Sequence, residues 1–152
     1  MSLNRKQFEA AIREVLATAP RSIDGDAAVR LLLGTAAQES GFGTYLKQIS
    51  GPACGVFQIE PTTAEWLEDS ARQDFKLWLL PFRAGHSIPW ALKYHLDYSI
   101  AMCRMRYLKV KEPIPHTLER QAAYWKQYHN TAQGKGTIEE YISNYKKYIG
   151  DT

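Results

Sequence analysis

Apolar residues recur at helical spacing along almost the whole chain, while runs of strict two-residue alternation are nearly absent. That periodicity predicts a mainly α protein with a minimal extended segment. The 152 residues contain no Gly/Ser-rich or Pro-rich linker, so a single domain over 1–152 is expected, long enough to bury about two thirds of its unfolded surface. An apolar share of 45% against 23% charged residues fits a globular chain and excludes a disordered or fibrous one.

The pattern divides into helices at recognisable signals. Phe8 to Leu16 forms the first, and a second follows Asp24 or Asp26, either of which can accept hydrogen bonds from the first turn. Its buried stripe is Val29, Leu32, Leu33 and Ala36, and Gly41 suits a left-handed cap at its end. Pro61 marks another start, with Thr62 and Glu65 spaced as a capping box, and that helix runs through Trp66 and Leu67. Residues 70–80 read as helical up to Pro81, and Trp90 to Val110 reads as one long central helix. Leu118 to Tyr128 resumes the period after Pro113 and Pro115. A last helix starts at Thr137, with Glu140 as its box partner and a stripe of Ile138, Tyr141, Ile142, Tyr145, Tyr148 and Ile149.

A net charge of +3 is compatible with an anionic polymer, but with scattered basic residues and no reading motif a nucleic-acid role ranks a distant third, and no nucleic-acid partner is expected. No apolar run approaches the roughly 20 residues of a membrane span, and the opening residues lack the apolar core of a signal peptide. Synthesis in the cytoplasm, without membrane insertion, is the expectation. Cys54 and Cys103 have no CxxC spacing and are expected as free thiols, Cys103 packing in the core. His86, His95, His116 and His129 show no close metal spacing, so neither metal nor cofactor is expected.

Chemistry concentrates between residues 39 and 66. Glu39 falls in the last turn of its helix, at the edge of the apolar stripe one turn beyond Ala36. Partial desolvation and the negative end of the helix dipole both disfavour its ionised form, which suits a general acid. Gly51, Pro52 and Gly55 indicate an ordered turn, after which Gly55-Val56-Phe57-Gln58-Ile59 reads as a short extended piece. Its one amide, Gln58, can donate and accept at once.

Ala36-Ala-Gln-Glu-Ser-Gly41, followed by Gly55-Val-Phe-Gln-Ile-x-Pro61-x-Thr63-Ala64, resembles soluble lytic transglycosylases and goose-type lysozymes. The pattern is also similar to compact cell-wall-degrading domains encoded by phages. The resemblance implies a lysozyme-like fold, a peptidoglycan substrate and cleavage of the β-1,4 bond between N-acetylmuramic acid and N-acetylglucosamine. Glu39 matches the catalytic acid. It would protonate the glycosidic oxygen and then, as base toward the muramoyl 6-hydroxyl, yield a 1,6-anhydro product. Most glycosidases use paired carboxylates instead. Glu60 stands where goose-type lysozymes carry an acid that positions water, although an acid before a helix start also meets a favourable dipole.

The family's Ala-Tyr-Asn motif is not reproduced cleanly. Ala123-Tyr124-Trp125 has tryptophan in place of asparagine, whereas Tyr128-His129-Asn130 keeps the asparagine before a glycine-rich turn. Either Tyr124 or Tyr128 is then expected to offer a phenol to Glu39, with Ser40, Phe57, Gln58 and Asn130 around the sugars. Trp125 and His129 read as structural. The leading expectation is a monomeric lytic transglycosylase reaching periplasmic or cell-wall peptidoglycan by phage-mediated delivery. The alternatives are a hydrolytic muramidase and a non-catalytic glycan-binding or virion module.

Overall fold

The computed structural model describes residues 2–48, 50–130 and 134–150. Its elements are α1 (Arg5–Ala17), α2 (Asp26–Ser40), α3 (Pro61–Ser70), α4 (Gln73–Arg83), α5 (Ile88–Tyr94), α6 (Leu96–Leu108), α7 (Leu118–Trp125) and α8 (Ile138–Tyr148), with a π-turn over Lys126–Asn130 between the last two. Among the described residues no strand forms, only isolated bridges from Cys54 to Lys47 and to Ile59. The protein is mainly α, and among the described residues no helix is long and apolar enough to cross a membrane.

One hydrophobic cluster draws side chains from all eight α-helices. Helix α2 runs through it and is buried on nearly every side, from Ala28 to Ala37, rather than along a single stripe. Its closest neighbour is α8, which Gly34 admits: a Cβ there would fall 2.0 Å from the Tyr141 hydroxyl oxygen. Tyr141 is fully buried and donates to the Leu31 carbonyl at 3.3 Å, so the amphipathic tyrosine stripe satisfies its polar end inside the core.

The caps account for several boundaries. Gly41 closes α2 in the left-handed conformation, at φ 57°, and Thr137 Oγ1 accepts from Glu140 N–H at 3.1 Å to start α8. At α2 the N-cap is Gly25, with Asp26 in the first turn and no side-chain cap. The Thr62–Glu65 box does not form either, because Glu60 is the N-cap and Pro61 the first helical residue. Helix α4 continues through Pro81 to Arg83. The Leu77 carbonyl that Pro81 leaves without a donor belongs to a residue 59% exposed, where water can serve it.

The expected central helix is broken at His95, whose backbone is extended at φ −105° and ψ 100°. No proline or glycine lies between Trp90 and Val110 to cause this break. Gly55, at φ 84°, presses its backbone against Leu92 so closely that a Cβ would lie 2.0 Å from the Leu92 carbonyl oxygen. That oxygen accepts from Ser99 Oγ at 2.6 Å, and His95 Nδ1 pairs with the Phe82 carbonyl at 2.8 Å. The Ser99 hydroxyl thus satisfies a carbonyl that a continuous helix would pair with its own backbone. Beneath this region Glu68 pairs with Arg83 at 3.0 Å and accepts from the buried Tyr98 hydroxyl, tying α3, α4 and α6 together.

Candidate functional site

Glu39 reaches a cavity of about 820 Å³ from the last turn of α2. The loop before α3 supplies Gln58 and Glu60, α6 supplies Arg106, the π-turn supplies His129 and Asn130, and α8 supplies Glu140. The Glu39 side chain is only 15% exposed. Burial pushes its carboxyl up to about 7, against smaller opposing effects of the Trp125 indole, Arg106, the Asn130 amide and Lys126. A carboxyl so placed is half protonated near neutrality, which matches a proton donor that must later accept.

The indole Nε1 of Trp125 is buried and completes no hydrogen bond among the described residues, although it stands close enough to Glu39 to favour its charged form. His129 Nε2 lies 3.8 Å from Glu39 Oε1. This is not an ion pair. Burial and the Arg106 charge hold the imidazole down to about 3, so it is neutral, and its Nε2–H donates to the Phe57 carbonyl at 3.1 Å. Arg106 in turn donates to the His129 carbonyl at 3.0 Å, fixing the π-turn from α6. Lys126 clamps its far side by donating to Asn130 Oδ1 at 2.7 Å and to the Gly134 carbonyl at 2.8 Å. A π-turn shifts the side-chain register within a helix, and such turns recur at functional sites.

Gln58 holds a left-handed backbone, at φ 50°, in a tight turn closed by the Cys54–Ile59 bridge. The extended piece expected from Gly55 to Ile59 is therefore a turn. A non-glycine residue at positive φ carries strain of roughly 1 kcal/mol or more, and it persists only where surrounding contacts impose it. Here Phe57 and Ile59 are buried on either side of Gln58. The Gln58 amide donates to the Gly55 carbonyl at 2.9 Å, leaving its oxygen and second N–H for the cavity.

No family model, curated protein or solved structure matches the chain.

The site therefore rests on its own geometry, which gathers Glu39, Gln58, Glu60 and Asn130 around one cavity. Four other expected contacts are corrected. Ser40 is fully buried, donating to the Ala36 carbonyl at 3.1 Å and accepting from Gly43 N–H at 2.8 Å, so it shapes the helix end rather than meeting a ligand. Phe57 is 1% exposed and packs toward Phe8; only its carbonyl serves the site. Tyr124 donates to the Glu112 carbonyl at 2.9 Å and Tyr128 to the Glu112 carboxylate at 3.0 Å. Neither phenol faces Glu39, since both are turned to Glu112. Trp125 and Asn130 take those places beside the carboxyl.

Sequence reasoning missed Arg106, Lys126 and the cavity-facing role of Glu140. Arg106 carried a usable signal, being a cation on a helix otherwise dominated by buried residues. Its companion Arg104 is buried with Nε donating to the Ile23 carbonyl at 2.8 Å, whereas Arg106 has a buried Nε with no partner among the described residues. Both cysteines are buried free thiols.

Proposed function

We propose that the protein has a lysozyme-like fold and cleaves the β-1,4 glycosidic bond of peptidoglycan strands as a lytic transglycosylase. The observation that carries this reading is the shielded Glu39 carboxyl, pushed up to about 7 by burial at the wall of a cavity lined mainly by polar groups. As the glycosidic C–O bond breaks, the Glu39 proton moves to the departing oxygen and positive charge develops at the anomeric carbon. The resulting carboxylate stabilises that charge and then takes the proton of the muramoyl 6-hydroxyl as its oxygen closes on the anomeric carbon. The cycle returns Glu39 to its protonated form and consumes no water.

Gln58 and Asn130 are suited to hold hydroxyl or N-acetyl groups, since amides donate and accept together. The neutral His129 adds no positive charge beside the carbon where charge develops, and its hydrogen bond to the Phe57 carbonyl ties the π-turn to the Gln58 turn. One observation favours a hydrolytic variant: Glu60 lines the same cavity. Glu60 and Glu140 are both exposed, however, while Glu39 alone is shielded, which supports the single-carboxylate cycle.

Digestion of purified cell walls with mass analysis of the muropeptides tests this directly. Anhydro ends are expected from the wild type and none from Glu39→Gln. Reducing ends would replace internal attack by water, and undiminished lysis by Glu39→Gln would remove Glu39 from the mechanism.

A further inference from the structure

Helix α4 is apolar on two sides. Phe75, Trp78 and Leu79 turn into the core, while Leu77, Leu80, Pro81 and Ala84, at positions i, i+3, i+4 and i+7, form a second stripe that faces out. Leu77 is 59% exposed and Leu80 55%. The stripe ends at Ala84 and Gly85, both at positive φ, and the next residue, His86, stacks on Trp90 with ring centroids 5.4 Å apart. One turn along α5, Tyr94 meets Trp90 edge-on at 4.7 Å. These two rings are 47% and 56% exposed. An aliphatic stripe thus leads, through one turn of chain, to an aromatic ladder, and exposed apolar surface of this kind marks an interaction site.

The charge of the same stretch is one-sided. From Phe75 to Leu96 it contains Lys76, Arg83 and Lys93 and no aspartate or glutamate. Arg83 is paired with Glu68 at 3.0 Å, which leaves the two lysines. Lys93 Nζ lies 5.5 Å from the Tyr94 ring centroid, so cation and phenol meet a surface together. The acids that bound the stretch are engaged at their own helix starts: Asp74 accepts from Phe75 N–H at 2.9 Å and Asp97 from Tyr98 N–H at 2.7 Å.

This chemistry disfavours two occupants. A second copy meeting the face by two-fold symmetry would bring the same lysines together and supply no carboxylate from 75–96 to offset them. A glycan can stack on aromatic rings, but the stripe from Leu77 to Ala84 offers its hydroxyls no side-chain partner. Leucines to bury, tryptophan and tyrosine with polar tips, and lysines without opposing acids instead suit the headgroup region of an anionic bilayer. We propose that the α4–α5 face docks the protein on an anionic lipid surface. Leu77, Leu80, Trp90 and Tyr94 enter the boundary between headgroups and acyl chains, and Lys76 and Lys93 meet the lipid phosphates. Such docking lies on the bilayer and needs no spanning helix. It shares no lining residue with the Glu39 cavity.

Flotation of the full chain with vesicles tests the proposal, using phosphatidylcholine alone and an equimolar mixture with phosphatidylglycerol. The wild type is expected to float with the mixed vesicles far more than with the neutral ones, and less as salt is raised. Lys76→Gln with Lys93→Gln should lower partition onto mixed vesicles about twentyfold and flatten the salt dependence. Leu77→Ser with Leu80→Ser should lower it about tenfold or more at every salt concentration.

Absence of flotation with the mixed vesicles, or flotation that either double variant leaves unchanged, would overturn the docking face. So would a wild-type dimer in sedimentation that the leucine variant converts to monomer, because the face would then join copies of the chain. None of the four substituted side chains is buried, so both variants keep the core intact. The vesicles carry no glycan, and the result is therefore independent of the role of Glu39.

Discussion

Glu39→Gln should make the protein more stable, and the gain should grow with pH. In the unfolded chain Glu39 titrates near 4.5, whereas in the folded chain burial holds it at about 7. Between those values the native state retains a proton that the unfolded state has released, so stability falls as pH rises. At about 1.4 kcal/mol per unit, the interval from 4.5 to about 7 amounts to about 3 kcal/mol. Glutamine has nearly the same shape and never ionises. The variant should match the wild type near pH 4 and exceed it by up to about 3 kcal/mol near pH 8.

Urea unfolding of both proteins across that range measures the difference. The difference matters because the wild-type curve alone is misleading. His129 is held near 3 against an ordinary 6.5, so its contribution is present at neutral pH and is lost as pH falls below 6.5. Between 4.5 and 6.5 the two slopes oppose each other. Subtraction removes the histidine. A gap that stays constant from acid to alkali would show that Glu39 is not desolvated, and the account of its acidity would fail with it.

If Glu39 must donate its proton, kcat/KM should decline about tenfold per pH unit above about 7, measured on soluble glycan strands. Trp125→Phe removes an indole that favours the charged carboxyl, so this alkaline limb should move to higher pH. Gly55→Ala combines a left-handed φ with a Cβ 2.0 Å from the Leu92 carbonyl oxygen; thermal unfolding should show a loss of about 3 kcal/mol or more. Tyr98→Phe deletes one donor to Glu68 and leaves Arg83 in place, so denaturant titration should register a loss of about 1–2 kcal/mol.

Features set by short-range rules were legible in the sequence. Gly41 marked the end of α2 and thereby placed Glu39 in a last turn, and the Thr137 cap with its tyrosine stripe located α8. Features imposed by distant parts of the chain were not. Nothing between Trp90 and Val110 announces a helix break, because the break comes from the Gly55 turn packing against Leu92. Pro81 signalled a stop that exposure of Leu77 makes unnecessary. Helical-wheel reasoning assumed a uniform 3.6-residue turn through Tyr128, so it assigned the tyrosines to Glu39. Both tyrosines instead engage Glu112, while Trp125, the last residue of α7, and Asn130, at the end of the π-turn, stand beside the carboxyl.

That wider turn holds one residue more than regular winding would need, and the surplus makes the site sensitive to chain length. Excising a single residue from Lys126–Asn130 would remove that surplus and let the backbone rewind as an ordinary helix, with the chain beyond kept in register and the side chains inside the turn redistributed around the axis. Imidazole and carboxamide would leave the carboxyl together, although no atom of Glu39 had been altered. A lineage carrying this architecture can thus tolerate exchanges of residue type there more readily than a frame-preserving deletion.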